Sequence, residues 1–136
     1  MSIDSVRAIG SNTPYAVALS DDLGHTWTGD EPESLGGGNT GPSPSRLILS
    51  GLASCTVVTV QMYAARKQWP LRGIEVEVQW NPNGKPDDGS TEMRRRVTLR
   101  GDLSGEQRKR LLQIANACPM HKALTGIIRV PTEIQD

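Results

Sequence analysis

The chain reads as an α+β fold. Three observations predict it: short strand-like segments come first, residues 45–67 carry apolar side chains at helical spacing, and two alternating segments at 74–80 and 91–100 precede further helix. At 136 residues it fits one domain, residues 1–136, and a domain of that size buries roughly two-thirds of its unfolded surface. With 36% hydrophobic residues, 4% aromatic and no Phe, its core is one of Leu, Ile, Val, Ala and Met. That core is modest for one compact unit, and dimerisation is a common supplement.

The elements follow in order. Residues 5–9 and 14–20 read as short strands, and the turn Ser20-Asp21-Asp22-Leu23-Gly24 leads to a third at 25–29. Residues 31–45 are dense in Gly, Pro and Ser and read as a structureless loop, a feature that in a small domain is usually functional or mobile. A helix over 45–67 follows, capped by Ser43 or Ser45 with Pro44 in its first turn. Ile48, Leu52, Cys55, Val58 and Met62 form one apolar stripe, with Thr59 beside it. Leu49, Ala53, Val57 and Val60 lie on the other sides, so little of this helix is expected to face water.

Ile74, Val76, Val78 and Trp80 alternate with polar residues, and residues 91–100 supply the antiparallel partner after an Asn/Pro/Gly turn. Arg94 or Arg96 is expected to pair with Glu75 or Glu77 on a solvated face. A second helix starts at Ser104, where Gln107 completes a capping box, and Leu111, Ile114, Ala115 and Cys118 mark its buried edge. Pro119 cannot continue that helix, so the chain restarts there in a short one that Gly126 ends. Ile127 to Val130 reads as a final strand.

Composition excludes several function classes. Fifteen basic against fifteen acidic residues give no net charge, where a phosphate-neutralising domain shows a basic excess, so nucleic acid is not expected as a partner. The first residues lack an apolar signal core and no window approaches 18 apolar residues, so no membrane association and a cytoplasmic location are expected. Two cysteines, with neither Cys-x-x-Cys nor His-x-x-His, do not make an ordinary zinc site, so neither metal nor cofactor is expected. In a reducing compartment, a disulfide between them would be transient, catalytic or sensing.

Cys55 and Cys118 are therefore the candidate chemistry. With Pro119 at the first helical position, Cys118 takes the cap position, where unpaired N–H groups favour a thiolate, and His121 one turn on adds charge or a hydrogen bond. In the other reading, Cys118 only closes the joint between two helices and His121 lies at the surface. Cys55 lies in mid-helix between Leu52 and Val58, where burial disfavours a charged group, and taken alone it reads as core. Gly51, Ala53 and Ser54 around it permit close approach of another backbone or a substrate.

The segment Gly41-Pro-Ser-Pro-Ser-Arg-Leu-Ile-Leu-Ser-Gly-Leu-Ala-Ser-Cys55, followed some sixty residues later by Cys118-Pro-Met-His-Lys-Ala-Leu, resembles the OsmC/Ohr family of thiol-dependent peroxide reductases. Glu31-Pro32, Leu35-Gly-Gly and Tyr63-Ala-Ala-Arg resemble its OsmC-like subgroup, and the likeness runs from about residue 24 to the C-terminus. It implies an intertwined α+β homodimer, with long cysteine-bearing helices at its centre packed against antiparallel sheets. It implies reduction of organic hydroperoxides in oxidative or osmotic stress defence. Cys55 would be oxidised to a sulfenic acid, Cys118 would condense with it, and a dithiol such as a lipoyl group or another small thiol would reduce the disulfide.

The departures are specific. Where the peroxidase members carry a glutamate nine or ten residues before the first cysteine, this chain has Arg46 and Ser45, and Ser11-Asn-Thr-Pro lacks the expected arginine. A buried thiol needs a cation to ionise at neutral pH, and Arg46 and Arg7 are the candidates. Arg46 lies roughly 13 Å along the helix from Cys55, so it would act from a partner chain; otherwise it is a surface residue near a helix start. Two rival functions follow: a small-ligand binding protein with little peroxidase activity, or a protein whose cysteines are inert core.

Overall fold

In the computed structural model, which describes residues 3–135, the elements are β1 (Val6–Gly10), β2 (Val17–Asp21), β3 (Thr26–Gly29), α1 (Pro44–Lys67), β4 (Gly73–Trp80), β5 (Met93–Arg100), α2 (Gly105–Ala115) and α3 (Pro119–Thr125). The strands form two antiparallel sheets, the meander β1-β2-β3 and the hairpin β4-β5. This is the α+β class that the sequence predicts. The chain divides into two compact units, residues 1–48 and 49–136, which are taken in turn.

In the first unit, Val6 lies opposite Asp21 and Gly10 opposite Val17, while Val17 also faces Gly29 across the second ladder. β2 starts at Val17 and not at Pro14. Pro14 has no N–H to give a ladder, and Tyr15 sits at φ +73°, so the chain is still turning there.

The stretch 31–45, expected to be structureless, is ordered. It contains a 3₁₀ turn at Glu33–Leu35, and the Asn39 N–H donates to the Glu31 carbonyl at 3.0 Å. Its anchor is the Asp30 carboxylate, buried at 3% exposure, which accepts from the Glu31 N–H at 2.7 Å, the Thr40 N–H at 3.1 Å and the Thr40 hydroxyl at 2.6 Å. Gly41 closes the loop against β3, where a Cβ would run into the Thr28 carbonyl. A carboxylate gathering donors from ten residues away leaves no trace in composition, and for that reason the loop looked featureless.

In the second unit, α1 buries Leu52, Thr56, Val60 and Ala64, a strict four-residue row. The expected stripe is therefore corrected. Leu52 alone of that stripe is buried, while Val58 is 44% and Met62 62% exposed in the single chain. With apolar residues on every side, periodicity alone cannot say which row meets the sheet. The row is fixed by what covers it: Val60 and Ala64 join Leu103, Leu111 and Ala115 in one core cluster, flanked by Tyr63, Trp69, Leu71, Ile74, Leu99 and Ile114. Tyr63 meets Trp69 edge-on, centroids 5.6 Å apart.

The expectation about long apolar windows is also corrected. By length and composition α1 suffices to cross a membrane, since an 18-residue window of it has a mean hydropathy of 1.6. Ser50, Gly51, Ser54, Thr56 and Thr59 interrupt every apolar run but weigh little in an average.

In the hairpin, Val76 faces Val97 and Val78 faces Arg95. Met93, Arg95, Val97 and Leu99 are half-buried, and Arg94, Arg96, Thr98 and Arg100 are exposed. On the wet face Arg96 pairs with Glu77 at 3.8 Å, Arg100 takes Glu75 at 3.4 Å, and Arg94 turns to Glu92 at 3.9 Å. Exposed pairs of this kind stabilise little. The capping box forms as expected, with the Gln107 N–H on the Ser104 hydroxyl at 3.1 Å and the Ser104 N–H on the Gln107 amide oxygen at 2.9 Å. The strand expected at Ile127–Val130 does not form. Both sheets are complete without it among the described residues, so its backbone has no ladder to join, and Ile127 and Val130 are 85% and 78% exposed.

The Asp30 anchor gives a pH-dependent prediction. The Thr40 hydroxyl and N–H hold the Asp30 carboxyl below its ordinary value, ahead of the opposing effect of burial and assisted by the Glu31 and Gly38 N–H groups. A depressed folded value means that its contribution is complete above about pH 4 and is lost as the pH falls through the folded value. Asp30→Asn should lower the melting temperature at pH 7 and flatten the acid limb of a melting-temperature profile; an unchanged profile would show that the carboxylate is not the anchor.

Candidate active site

The second unit brings Cys55, Cys118 and His121 together. Cys55 comes from the middle of α1 and is half-buried; Cys118 has no exposed surface; both thiols are free. The Cys55 side chain lies near enough to the Cys118 thiol to favour its ionised form. Local sequence explains each placement. Gly51, Ala53 and Ser54 keep the helix surface beside Cys55 low, and Pro119 ends the run of α2 and starts α3, leaving Cys118 as its N-cap. The Cys118 sulfur accepts the His121 N–H at 3.2 Å, as the sequence anticipates.

The guanidinium at these thiols is Arg95. Its Nη1 donates to the Thr56 hydroxyl at 3.0 Å and reaches the Cys118 sulfur at 4.0 Å; its Nη2 donates to Asn116 Oδ1 at 2.7 Å and to His121 Nδ1 at 3.1 Å. Thr56 is fully buried. It donates to the Leu52 carbonyl at 2.7 Å and lies 3.9 Å from the Cys118 sulfur. The Cys55 sulfur lies 3.9 Å from the Thr59 hydroxyl. Among the described residues no carboxylate pairs with Arg95.

Of the arginines expected near the thiols, Arg46 lies in the first turn of α1 and donates to the Ser43 hydroxyl at 2.9 Å, while Arg7 lies on exposed β1 opposite Ser20. Sequence reading passed over Arg95, Thr56 and Asn116. Two of them carry a readable signal. Arg95 occupies the apolar register Met93-x-Arg95-x-Val97-x-Leu99, and a charge on that face needs buried partners. Thr56 interrupts the row Leu52, Val60, Ala64. Asn116, in the turn after α2, carries none.

Two ionisation states follow. Burial raises the Cys118 thiol, but the His121 N–H, the Cys55 and Thr56 side chains and the Arg95 charge together bring it below its ordinary value. Burial lowers His121, and the Arg95 charge lowers it further. Because a guanidinium only donates, His121 Nδ1 must accept, which fixes a neutral imidazole with its proton on Nε2. Beside these groups lies a cavity of about 580 Å³, its apolar wall made by Leu52, Met93, Val97, Leu112 and Leu124, its polar wall by Arg95, Asn116 and His121.

The depressed His121 value gives a direct measurement. Its nuclear magnetic resonance titration should fall below the ordinary value of about 6.5, and Arg95→Met should raise it by removing the repulsion while burial remains. The neutral form belongs to the fold, so stability is lost as the pH falls through that value. An ordinary titration unaffected by Arg95→Met would contradict the arrangement.

The OsmC-like protein family matches residues 36–133. No curated protein matches. Among solved structures, an OsmC-like protein from Mycoplasma pneumoniae superposes with a TM-score of 0.75 at 21% identity, covering 93% of this chain and 89% of its own. An organic hydroperoxide resistance protein OsmC from Legionella pneumophila gives 0.67 at 20% identity, covering 93% and 91%. The organic hydroperoxide resistance protein OhrB of Bacillus subtilis gives 0.62 at 23%, covering 92% of each. These likenesses establish the fold, and the match across most of the sequence, with both cysteines inside it, establishes the lineage: the chain belongs to the OsmC-like protein family.

Proposed function

We propose that the protein reduces organic hydroperoxides through a Cys55/Cys118 disulfide cycle, as a stress-defence enzyme of the cytoplasm. The observation that carries the reading is that the fold brings two free thiols, from α1 and the start of α3, into one site, where the Cys55 side chain acts on the Cys118 thiol. Neighbouring thiols can close a disulfide when their geometry permits, which is what trapping a sulfenic acid requires. The half-buried Cys55 receives the peroxide and Cys118 resolves it. The cavity beside Arg95 offers an apolar wall to the organic part of the substrate. A dithiol, such as a lipoyl group, or another small thiol returns the disulfide to two thiols by exchange. The binding-protein alternative is not favoured, because a mere ligand pocket has no need of two free thiols in one site.

A homodimer belongs to the same proposal. The family resemblance implies it, and the apolar stripe of α1 at Val58 and Met62, left uncovered in the single chain, supports it. A second copy of the helix would cover that stripe.

Two experiments test these statements. Addition of an alkyl hydroperoxide should consume two thiols per chain, and a dithiol should restore them. Cys55→Ser should abolish turnover, whereas Cys118→Ser should stop after one sulfenic acid; full turnover without either cysteine would end the reading. In gel filtration the protein should elute near twice its 14.7 kDa mass, and Val58→Glu should shift it to one chain. Elution of the unaltered protein as a single chain would remove the dimer.

A further inference from the structure

The cycle just proposed leaves one step unexplained, namely how a thiol deprived of the family's activating carboxylate and arginine becomes a nucleophile. Arg95 supplies a physical answer. It is held among four neutral groups, Thr56 Oγ1, Asn116 Oδ1, His121 Nδ1 and the Cys118 sulfur, with no carboxylate among the described residues to balance it. Thr56 and Asn116 cannot ionise at ordinary pH, and His121 can only gain a proton, which would add a second positive charge. The titratable groups that face the Cys118 sulfur are Cys55 from α1, Arg95 from β5 and His121 from α3. Of the four groups, Cys118 is the one that can become an anion, and so the one that can balance the guanidinium.

We propose that Cys118 is the thiolate of the pair, held by Arg95, and that it acts first as the base that deprotonates Cys55 and only then as the resolving nucleophile. The inference rests on the hydroperoxide reading for its chemistry. Access separates the roles. Cys118 has no exposed surface, while Cys55 is half-buried, so a peroxide meets Cys55 first. Nucleophilicity points the same way, since a thiolate stabilised by a cation and hydrogen-bond donors is a weaker nucleophile than one freshly deprotonated.

The steps balance. The Cys118 thiolate takes the proton of the neighbouring Cys55 thiol as the Cys55 sulfur attacks the distal peroxide oxygen. The O–O bond breaks, and the leaving alkoxide takes the proton back from Cys118 to become an alcohol. Cys55 is then a sulfenic acid and Cys118 a thiolate again. The thiolate attacks the Cys55 sulfur, hydroxide leaves and is protonated by solvent to water. The two-electron oxidation of the thiol pair matches the two-electron reduction of the hydroperoxide to alcohol and water. Arg95 makes and breaks no bond in this sequence; its part is to position and stabilise the Cys118 thiolate.

The test separates this inference from the one on which it rests. In the Cys55→Ser protein, the ultraviolet absorbance of the thiolate should show Cys118 titrating below the ordinary thiol value of about 8.5. Arg95→Met in that background should move it up, and Arg95→Lys, which keeps the charge, should restore most of the shift. Cys55 reactivity is then read with iodoacetamide, which needs no peroxidase activity, and by dimedone trapping of the sulfenic acid after an alkyl hydroperoxide. In Cys118→Ser both rates should fall on the order of 10²-fold, the scale of a positioned base, and the acidic limb of the rate profile should move to higher pH.

Circular dichroism confirms that each variant is folded, and the lysine variant serves if the methionine variant is not. Unchanged alkylation in Cys118→Ser, an ordinary Cys118 titration, or sulfenic acid formed at Cys118 at the full rate in Cys55→Ser would each overturn the proposal. Absence of peroxide turnover in the unaltered protein would remove the preceding reading alone, because the titration and the alkylation still judge the Arg95–Cys118 pair and its action on Cys55.

Discussion

A guanidinium on the inner face of a sheet is a demanding guest. Arginine does not give up its proton, so turning Arg95 inward commits the surrounding structure to supply acceptors or an anion. Those acceptors come from separate elements: Thr56 from α1, Asn116 from the turn after α2, His121 from α3, and the Cys118 sulfur at the α3 cap. One side chain on β5 thereby ties together the three helical segments that meet around the thiols. Its charge also acts on two of them: after burial it lowers His121 further, and after the His121 N–H and the Cys55 and Thr56 side chains it helps to bring the Cys118 thiol below its ordinary value.

The long helix answers a different demand. Its row of Leu52, Thr56, Val60 and Ala64 meets the core, and small residues in that row let neighbours come close. The opposite rows stay apolar at Val58 and Met62. A helix apolar on more than one face is stable in water only if more than one face is covered. The same property makes α1 long and apolar enough to cross a membrane by composition, so composition does not distinguish a buried helix from a spanning one. Cys55 sits between the covered and uncovered rows, which accounts for its partial exposure in the single chain.

The two cysteines differ in environment more than in chemistry. Cys118 has donors and a cation around it and no surface; Cys55 has surface, a hydroxyl and the other thiol. Dividing access from charge stabilisation between two sulfurs is a way to keep a buried thiol reactive without placing a carboxylate and an arginine on the same side of the helix. It suits a chain in which Ser45 and Arg46 stand where a family carboxylate is expected.

Much of this was legible in the residues. The α+β order, the capping box at Ser104 and Gln107, the restart at Pro119 with Cys118 as its cap, and the pairing of Arg96 with Glu77 all rest on contacts within a turn or across a hairpin, which spacing reveals. Family and both cysteines were legible for the same reason, as local motifs. Three features were not. The buried row of α1 was hidden because apolar residues surround the helix. The order of the loop after β3 depends on Asp30 reaching Thr40, ten residues on. The extended Ile127–Val130 segment has strand composition but no ladder to join. By itself, then, the sequence determined the elements and the two thiols. Tertiary structure alone decided that Arg95, separated from Cys118 by 23 residues and from Thr56 by 39, is the charge at the site, because a cation's partners are chosen by which faces meet.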